Sequence, residues 1–170
     1  VDQLLDYLDM PTQWTILDPA AGRGNIVDAC RAKGHSVIGS DLVYRGRPEF
    51  KTRDFLQGHN EGGYAPSSVD AVICNPPFFS SKGVVDFTER AMQVATKLVA
   101  MLAPVTFLGS QGRREHFRNA QGLQILYLST RPSMPPGHTL KLGEEGKGGK
   151  RDYLWLVYRI GKPSQPVWWL

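Results

Sequence analysis

The segment VDAVICN at 69–75, followed at once by two prolines, constrains the fold more than any other part of this sequence. Its β-branched and apolar run suits a strand covered on both faces, and strands of that kind belong to parallel sheets. Parallel neighbours need long crossovers, usually helices, to bring the chain back to the starting edge. The remaining sequence supplies both parts. TILDPA at 15–20, HSVIGSD at 35–41, FKTRDF at 50–55, LVAMLAPVTF from Leu98, LQILYLS at 123–129 and DYLWLVYRI at 152–160 are the further strand candidates. Between them, Leu4, Leu5 and Leu8 share a helical face, as do Ile26, Ala29 and Cys30, with Gly34 as a stop. Val84, Phe87, Ala91 and Ala95 mark a helix over 83–97, and a further one over 111–120 carries Arg113, Arg114 and Arg118. HNEGGYAPSS at 59–68 reads as a loop. The expected fold is α/β, with a seven-stranded, mainly parallel sheet flanked by helices.

A chain of 170 residues suits one domain, 1–170, which buries about two thirds of the surface exposed on unfolding. No apolar run approaches a membrane span, and the opening VDQLLDYLDMP lacks a basic start and an apolar core. Cys30 and Cys74 are the only cysteines, both within expected core segments, which disfavours a disulfide framework or a cysteine-based zinc site. A cytoplasmic location is the expectation. Charge is unevenly spread: residues 1–110 hold 10 Lys/Arg against 12 Asp/Glu, whereas residues 111–162 hold 10 against 4. A basic second half suits a polyanionic partner, although an ordinary solvated surface has the same composition. The Pro- and Gly-rich stretch 131–150, with GKGGK at 146–150, reads as a mobile basic loop.

The turn DPAAGRG at 18–24 follows the first strand candidate, at the edge where open parallel sheets bind ligands. Glycines at 22 and 24 allow close backbone approach, and the full G-x-G-x-x-G dinucleotide pattern is absent because Val27 is not glycine. Asp41 ends the second strand, 17 residues after Gly24, where a carboxylate can accept bonds from both hydroxyls of a ribose. Asp54 follows the third strand and can accept from an adenine amine, with Leu42 or Phe55 as an apolar wall. A loop cap and a core aromatic are equally compatible with Asp54 and Phe55.

With D-x-x-x-G-x-G at 18–24, VIGSD ending at Asp41, RDF at 53–55 and NPPF at 75–78, the sequence resembles the class I S-adenosylmethionine-dependent methyltransferases. The resemblance spans nearly the whole chain and implies a Rossmann-like methyltransferase sheet. It further implies S-adenosyl-L-methionine as cofactor. The turn with Asp18, Ala20, Gly22 and Gly24 would face its methionine part, Asp41 its ribose and Asp54 its adenine.

Asn75-Pro76-Pro77-Phe78 is the sharpest functional signal. Two prolines fix a stiff extended corner and remove two backbone donors while leaving the carbonyl acceptors. The Asn75 side-chain oxygen and the Pro76 carbonyl can accept both hydrogens of a planar amine, aiming its lone pair at a sulfonium methyl. Asn75 thereby borders both the cofactor and the substrate. Phe78 can stack on the base that carries the amine. Within the family this motif looks like amino-group methylation, with adenine in DNA the leading substrate and adenine in RNA next. The chain is similar to small bacterial and phage-associated adenine methyltransferases, whose aromatic last strand DYLWLVYR resembles. Protein glutamine or a small-molecule amine is the alternative acceptor, and a noncatalytic nucleic-acid-binding protein of this fold is a third reading. Cys74 is not the expected nucleophile, because strand alternation points it away from Asn75. Arg131, Lys147 and Lys150 are candidates for substrate phosphates.

Overall fold

A computed structural model describes residues 1–78, 82–109, 111–132 and 151–164. The strands are β1 (Thr15–Asp18), β2 (Ser36–Asp41), β3 (Lys51–Thr52), β4 (Val69–Cys74), β5 (Ala95–Pro104), β6 (Leu123–Tyr127) and β7 (Tyr153–Arg159). The helices are α1 (Asp2–Leu8), α2 (Asn25–Ala32), α3 (Lys82–Val94) and α4 (Arg114–Asn119). All seven strands join one sheet in the order β3-β2-β1-β4-β5-β7-β6. Strands β3, β2, β1, β4 and β5 run parallel, and β7 pairs antiparallel with both β5 and β6. This is the Rossmann-like, mainly parallel sheet expected from the sequence.

Both faces of the sheet are covered, as the unbroken apolar strands require. Along β4, Val69, Val72 and Cys74 join one core, whereas Ala71 and Ile73 join the other. On the first face, α3 contributes Val84, Phe87, Ala91 and Val94, and α4 contributes Phe117. On the second, α1 contributes Leu4, Leu5 and Leu8, and α2 contributes Ile26 and Cys30. At about 25 cal/mol per Å² of buried apolar surface, these two interfaces are the main stabilising contribution to the fold. Among the described residues, no helix is long and apolar enough to cross a membrane.

Several boundaries differ from the sequence reading, including the helix expected over 111–120, which is a 3-10 turn over Gln111–Arg113 followed by α4 from Arg114. Helix α3 ends at Val94, not at 97, and β5 begins at Ala95, three residues earlier than Leu98. Ala95 pairs with Val69, and the Thr96 hydroxyl donates to the Val69 carbonyl at 3.3 Å, so sheet pairing takes residues whose spacing also fits a helix. Strand β3 retains only Lys51 and Thr52 of the expected 50–55. The Asp54 carboxylate caps Leu56 N–H at 2.9 Å and thereby bends the chain out of the ladder. β6 stops at Tyr127 instead of 129. The basic stretch proposed as a mobile loop lies, from residue 133 to 150, outside the described residues.

The topology fixes where chemistry can occur. From β1 the chain moves outward to β2 and β3, then returns to β4 on the opposite side of β1. The strand order therefore reverses between β1 and β4, where open α/β sheets form a crevice beyond their carboxyl ends. Leu17 pairs with Val72, so Asp18 and Cys74 finish side by side, each followed by one of the two sequence motifs.

Candidate active site

The first wall of the crevice is the turn after β1. Gly22 and Gly24 hold φ of 56° and 94°, in the left-handed region that side chains with a Cβ rarely adopt. Ala21 N–H donates to the Ser40 carbonyl at 2.8 Å, and Gly24 N–H donates to the Ala21 carbonyl at 2.7 Å. Gly22 N–H donates to Asp41 Oδ2 at 2.9 Å, so the acid ending β2 also ties down the turn. The other Asp41 oxygen accepts Val43 N–H at 3.0 Å, with Arg45 Nε at 3.6 Å. Each carboxylate oxygen has two lone pairs, which leaves Asp41 capacity for further donors. An ideal Cβ on Gly22 would have only the Ala20 carbonyl oxygen near it, at 4.0 Å, whereas one on Gly24 would strike Arg47 at 2.6 Å. The two glycines thus serve different purposes: Gly22 faces open space and Gly24 admits a protein side chain.

Below the turn lies Asp18, fully buried, with Oδ1 accepting Ala20 N–H at 3.2 Å. Burial raises its carboxyl to about 7, with the Asp41 charge adding to the effect and hydrogen bonds from Ala20 and Cys74 opposing it. Burial, with Asp18 next to it, also pushes the Cys74 thiol well above its ordinary value. Cys74 is therefore a protonated core group in contact with Asp18, and a poor nucleophile.

The second wall is the corner after β4. Asn75 is half-buried, Pro76 buried and Pro77 half-buried, while Phe78 stands 40% exposed with its ring centroid 6.0 Å from that of Tyr153. Tyr153 pairs with Pro104 at the same end of the sheet, so the aromatic start of β7 backs the exposed Phe78 ring. The Pro77 carbonyl packs against Gly83 in the first turn of α3, where an ideal Cβ would lie 2.2 Å from the oxygen. Proline sets the shape of the corner and glycine lets the helix approach it.

The remaining candidates separate. Asp54 is exposed at the end of the β3 segment, and Leu42 is 63% exposed beside Asp41. Phe55 is only 2% exposed, its ring 5.1 Å from Phe87 and 6.2 Å from Tyr64, so of the two apolar walls Leu42 alone presents its side chain outward. Arg131 pairs with Asp152 at 2.6 Å, both largely exposed, near the start of β7. Lys147 and Lys150 lie outside the described residues. No group of three His, Cys, Asp or Glu side chains is arranged to hold a metal ion among the described residues.

Two arginines escaped the sequence reading. Arg90, buried in α3, donates to the carbonyls of Phe55 at 3.3 Å and Tyr64 at 2.6 Å, and so carries the loop between β3 and β4. A charged residue on the apolar face of α3 was its one signal. Arg47, between β2 and β3, reaches back to the glycine turn, and no local spacing reveals that contact.

No protein-family model and no curated sequence matches the chain. Solved structures do match. A Vibrio vulnificus YJ016 protein provisionally named the modification subunit of a type I restriction enzyme superposes with a TM-score of 0.64 at 15% identity, over 96% of this chain. This chain spans only 43% of that protein. An RNA methyltransferase, also provisionally named, from Pyrococcus horikoshii gives 0.63 at 18% identity, over 93% of this chain and 81% of the other. A SAM-dependent methyltransferase from Archaeoglobus fulgidus gives 0.58 at 12% identity, over 93% and 92%. With its strand order, its reversed β7 and these superpositions, the chain has the class I SAM-dependent methyltransferase fold.

Proposed function

We propose that this protein transfers a methyl group from S-adenosylmethionine to the exocyclic amine of adenine in nucleic acid, with DNA the favoured substrate. The observation that supports this reading is the adjacency of β1 and β4, whose carboxyl ends lead into the glycine turn and the Asn-Pro-Pro-Phe corner. The residues present fit the cofactor: an open left-handed glycine, a carboxylate with spare acceptor capacity and an exposed apolar neighbour. Asp18, Ala20, Gly22 and Gly24 would hold the methionine end, Asp41 the ribose, and Asp54 with Leu42 the adenine. When bound, the cofactor supplies an electrophilic methyl carbon on a sulfonium.

The chain's own task is alignment. Asn75 and the Pro76 carbonyl accept the two amine hydrogens, which turns the nitrogen lone pair toward the methyl and stabilises charge developing on that nitrogen. Asn75 is not basic, so the proton leaves after transfer. Phe78, exposed and backed by Tyr153, stacks on the base. The names carried by the Vibrio and Pyrococcus proteins support nucleic acid as the substrate class.

Incubating the protein with labelled S-adenosylmethionine and pools of DNA or RNA tests the reading, and the expected product is label on an adenine amine. Protein that binds the cofactor yet labels no pool would overturn it. Mass analysis that finds the methyl group on glutamine or a small-molecule amine would transfer the activity to another acceptor.

A further inference from the structure

Residues 42–50 leave the end of β2 beside Asp41 and fold back over the start of α2. Arg47 makes that return. Its Nη1 donates to the Arg23 carbonyl at 2.9 Å, within the left-handed turn, and also to Asp28 Oδ2 at 2.9 Å. Nη2 donates to Asp28 Oδ1 at 2.8 Å, and Nε to Glu49 at 2.7 Å. The guanidinium carbon stands 4.8 Å from the Phe50 ring centroid. That ring fills the space a Cβ would need on Gly39, 2.6 Å away, and crowds Gly24 at 3.0 Å. Gly22, Arg47 and Phe50 line a common cleft with Asp41. Asp41 accepts from Gly22 and Arg47 donates to the Arg23 carbonyl, so the glycine turn is held at two points, one at the end of β2 and one within the segment that follows it.

We propose that Arg47 is a positioning residue for the cofactor: it clamps segment 42–50 onto the glycine turn and fixes the turn's distance from Asp41. The inference rests on the cofactor reading above, although the clamp itself has a test independent of ligand. Arg47 sits at the rim of the crevice and acts through Arg23 and Asp28. Exposed ion pairs add little to global stability, so the clamp governs a local arrangement more than the fold. Lysine cannot replace it, because the planar fork reaches a carboxylate through two nitrogens while still donating to a carbonyl.

The experiment compares wild type, R47A, R47K and D28N as the full chain. Titration calorimetry with S-adenosylmethionine and with S-adenosylhomocysteine measures affinity, steady-state kinetics separates KM from kcat, and hydrogen exchange without ligand follows the Gly22 and Gly24 amides. R47A is expected to weaken both ligands about tenfold, the scale of coupling between contacting neighbours. R47K, which keeps the charge without the fork, stays weaker than wild type, and the loss falls on KM with kcat changed less than about twofold. Exchange at Gly22 and Gly24 rises in R47A, while D28N, nearly unchanged in shape, gives a smaller shift in the same direction. Unaltered exchange in R47A, or wild-type affinity in R47A, would overturn the clamp. A wild-type protein that binds neither ligand would overturn the cofactor reading, with the exchange result still deciding the clamp.

Discussion

The two walls of the crevice are braced by different physics. The turn after β1 is held by directional bonds: Asp41 to Gly22, Ser40 to Ala21, and the Arg47 fork to Arg23 and Asp28. The corner after β4 is held by covalent stiffness and contact, with two prolines and the close approach of Gly83 to the Pro77 carbonyl. A hydrogen-bonded turn can yield a few tenths of an ångström to seat a ligand, whereas a proline corner presents one geometry. Affinity should therefore be sensitive at the first wall and turnover at the second.

The strongest way to break that division is at Asn75. Asn75→Ala is expected to lower kcat by about 10²–10³-fold, the scale of one lost transition-state hydrogen-bonding group, with the dissociation constant for S-adenosylhomocysteine within about twofold. A loss of affinity that matches the loss of turnover would erase the distinction between the walls. Asp18 lies beneath both walls, and its titration tests them together. Its carboxyl rises from 3.8 to about 7 on folding, so the native state binds the extra proton. Stability from this group is complete at low pH and is lost as pH climbs from about 4 to about 7. The full amplitude is on the order of 4 kcal/mol. Denaturant unfolding across that range should show the decline in wild type and a flatter profile in D18N.

Gly83→Ala sharpens the comparison from the helix side. A methyl group there meets the Pro77 carbonyl, so the corner shifts, and kcat should fall about tenfold while cofactor affinity holds. Single-turnover rates beside calorimetry would check it. The smallest effect is expected at Arg131. Its ion pair with Asp152 is 60% exposed on each side, so R131A should move stability by less than about 1 kcal/mol. If Arg131 meets a phosphate, the same variant lowers the salt dependence of DNA binding by about one counterion, measured as the slope of affinity against salt.

The sheet was legible because β4, β5 and β7 carry dense apolar runs bounded by turn residues, and β1 and β2 end at the glycine turn and at Asp41. The α3–β5 junction was not, since Ala95 and Thr96 satisfy either period and long-range pairing with Val69 decides between them. The short β3 was hidden for a related reason: Phe50 packs on Gly39 and Asp54 caps Leu56, contacts that remove residues from a ladder without altering their composition. At the candidate site, local motifs revealed the glycine turn, Asp41 and the Asn-Pro-Pro-Phe corner. Arg47 and Arg90 remained invisible, because each acts on atoms 19 to 35 residues away. Spacing rules report neighbours along the chain; these arginines serve neighbours in space.

The position of β7 between β5 and β6 carries a consequence for biosynthesis. Among the described residues β6 pairs only with β7, yet β7 is translated later. A nascent chain on the ribosome can assemble β1 to β5 early, but β6 must wait with an unsatisfied edge until its partner emerges. Insertion of that late strand is thus the topological closing step of the described sheet, and the aromatic ring of Tyr153 reaches Phe78 only when it is complete.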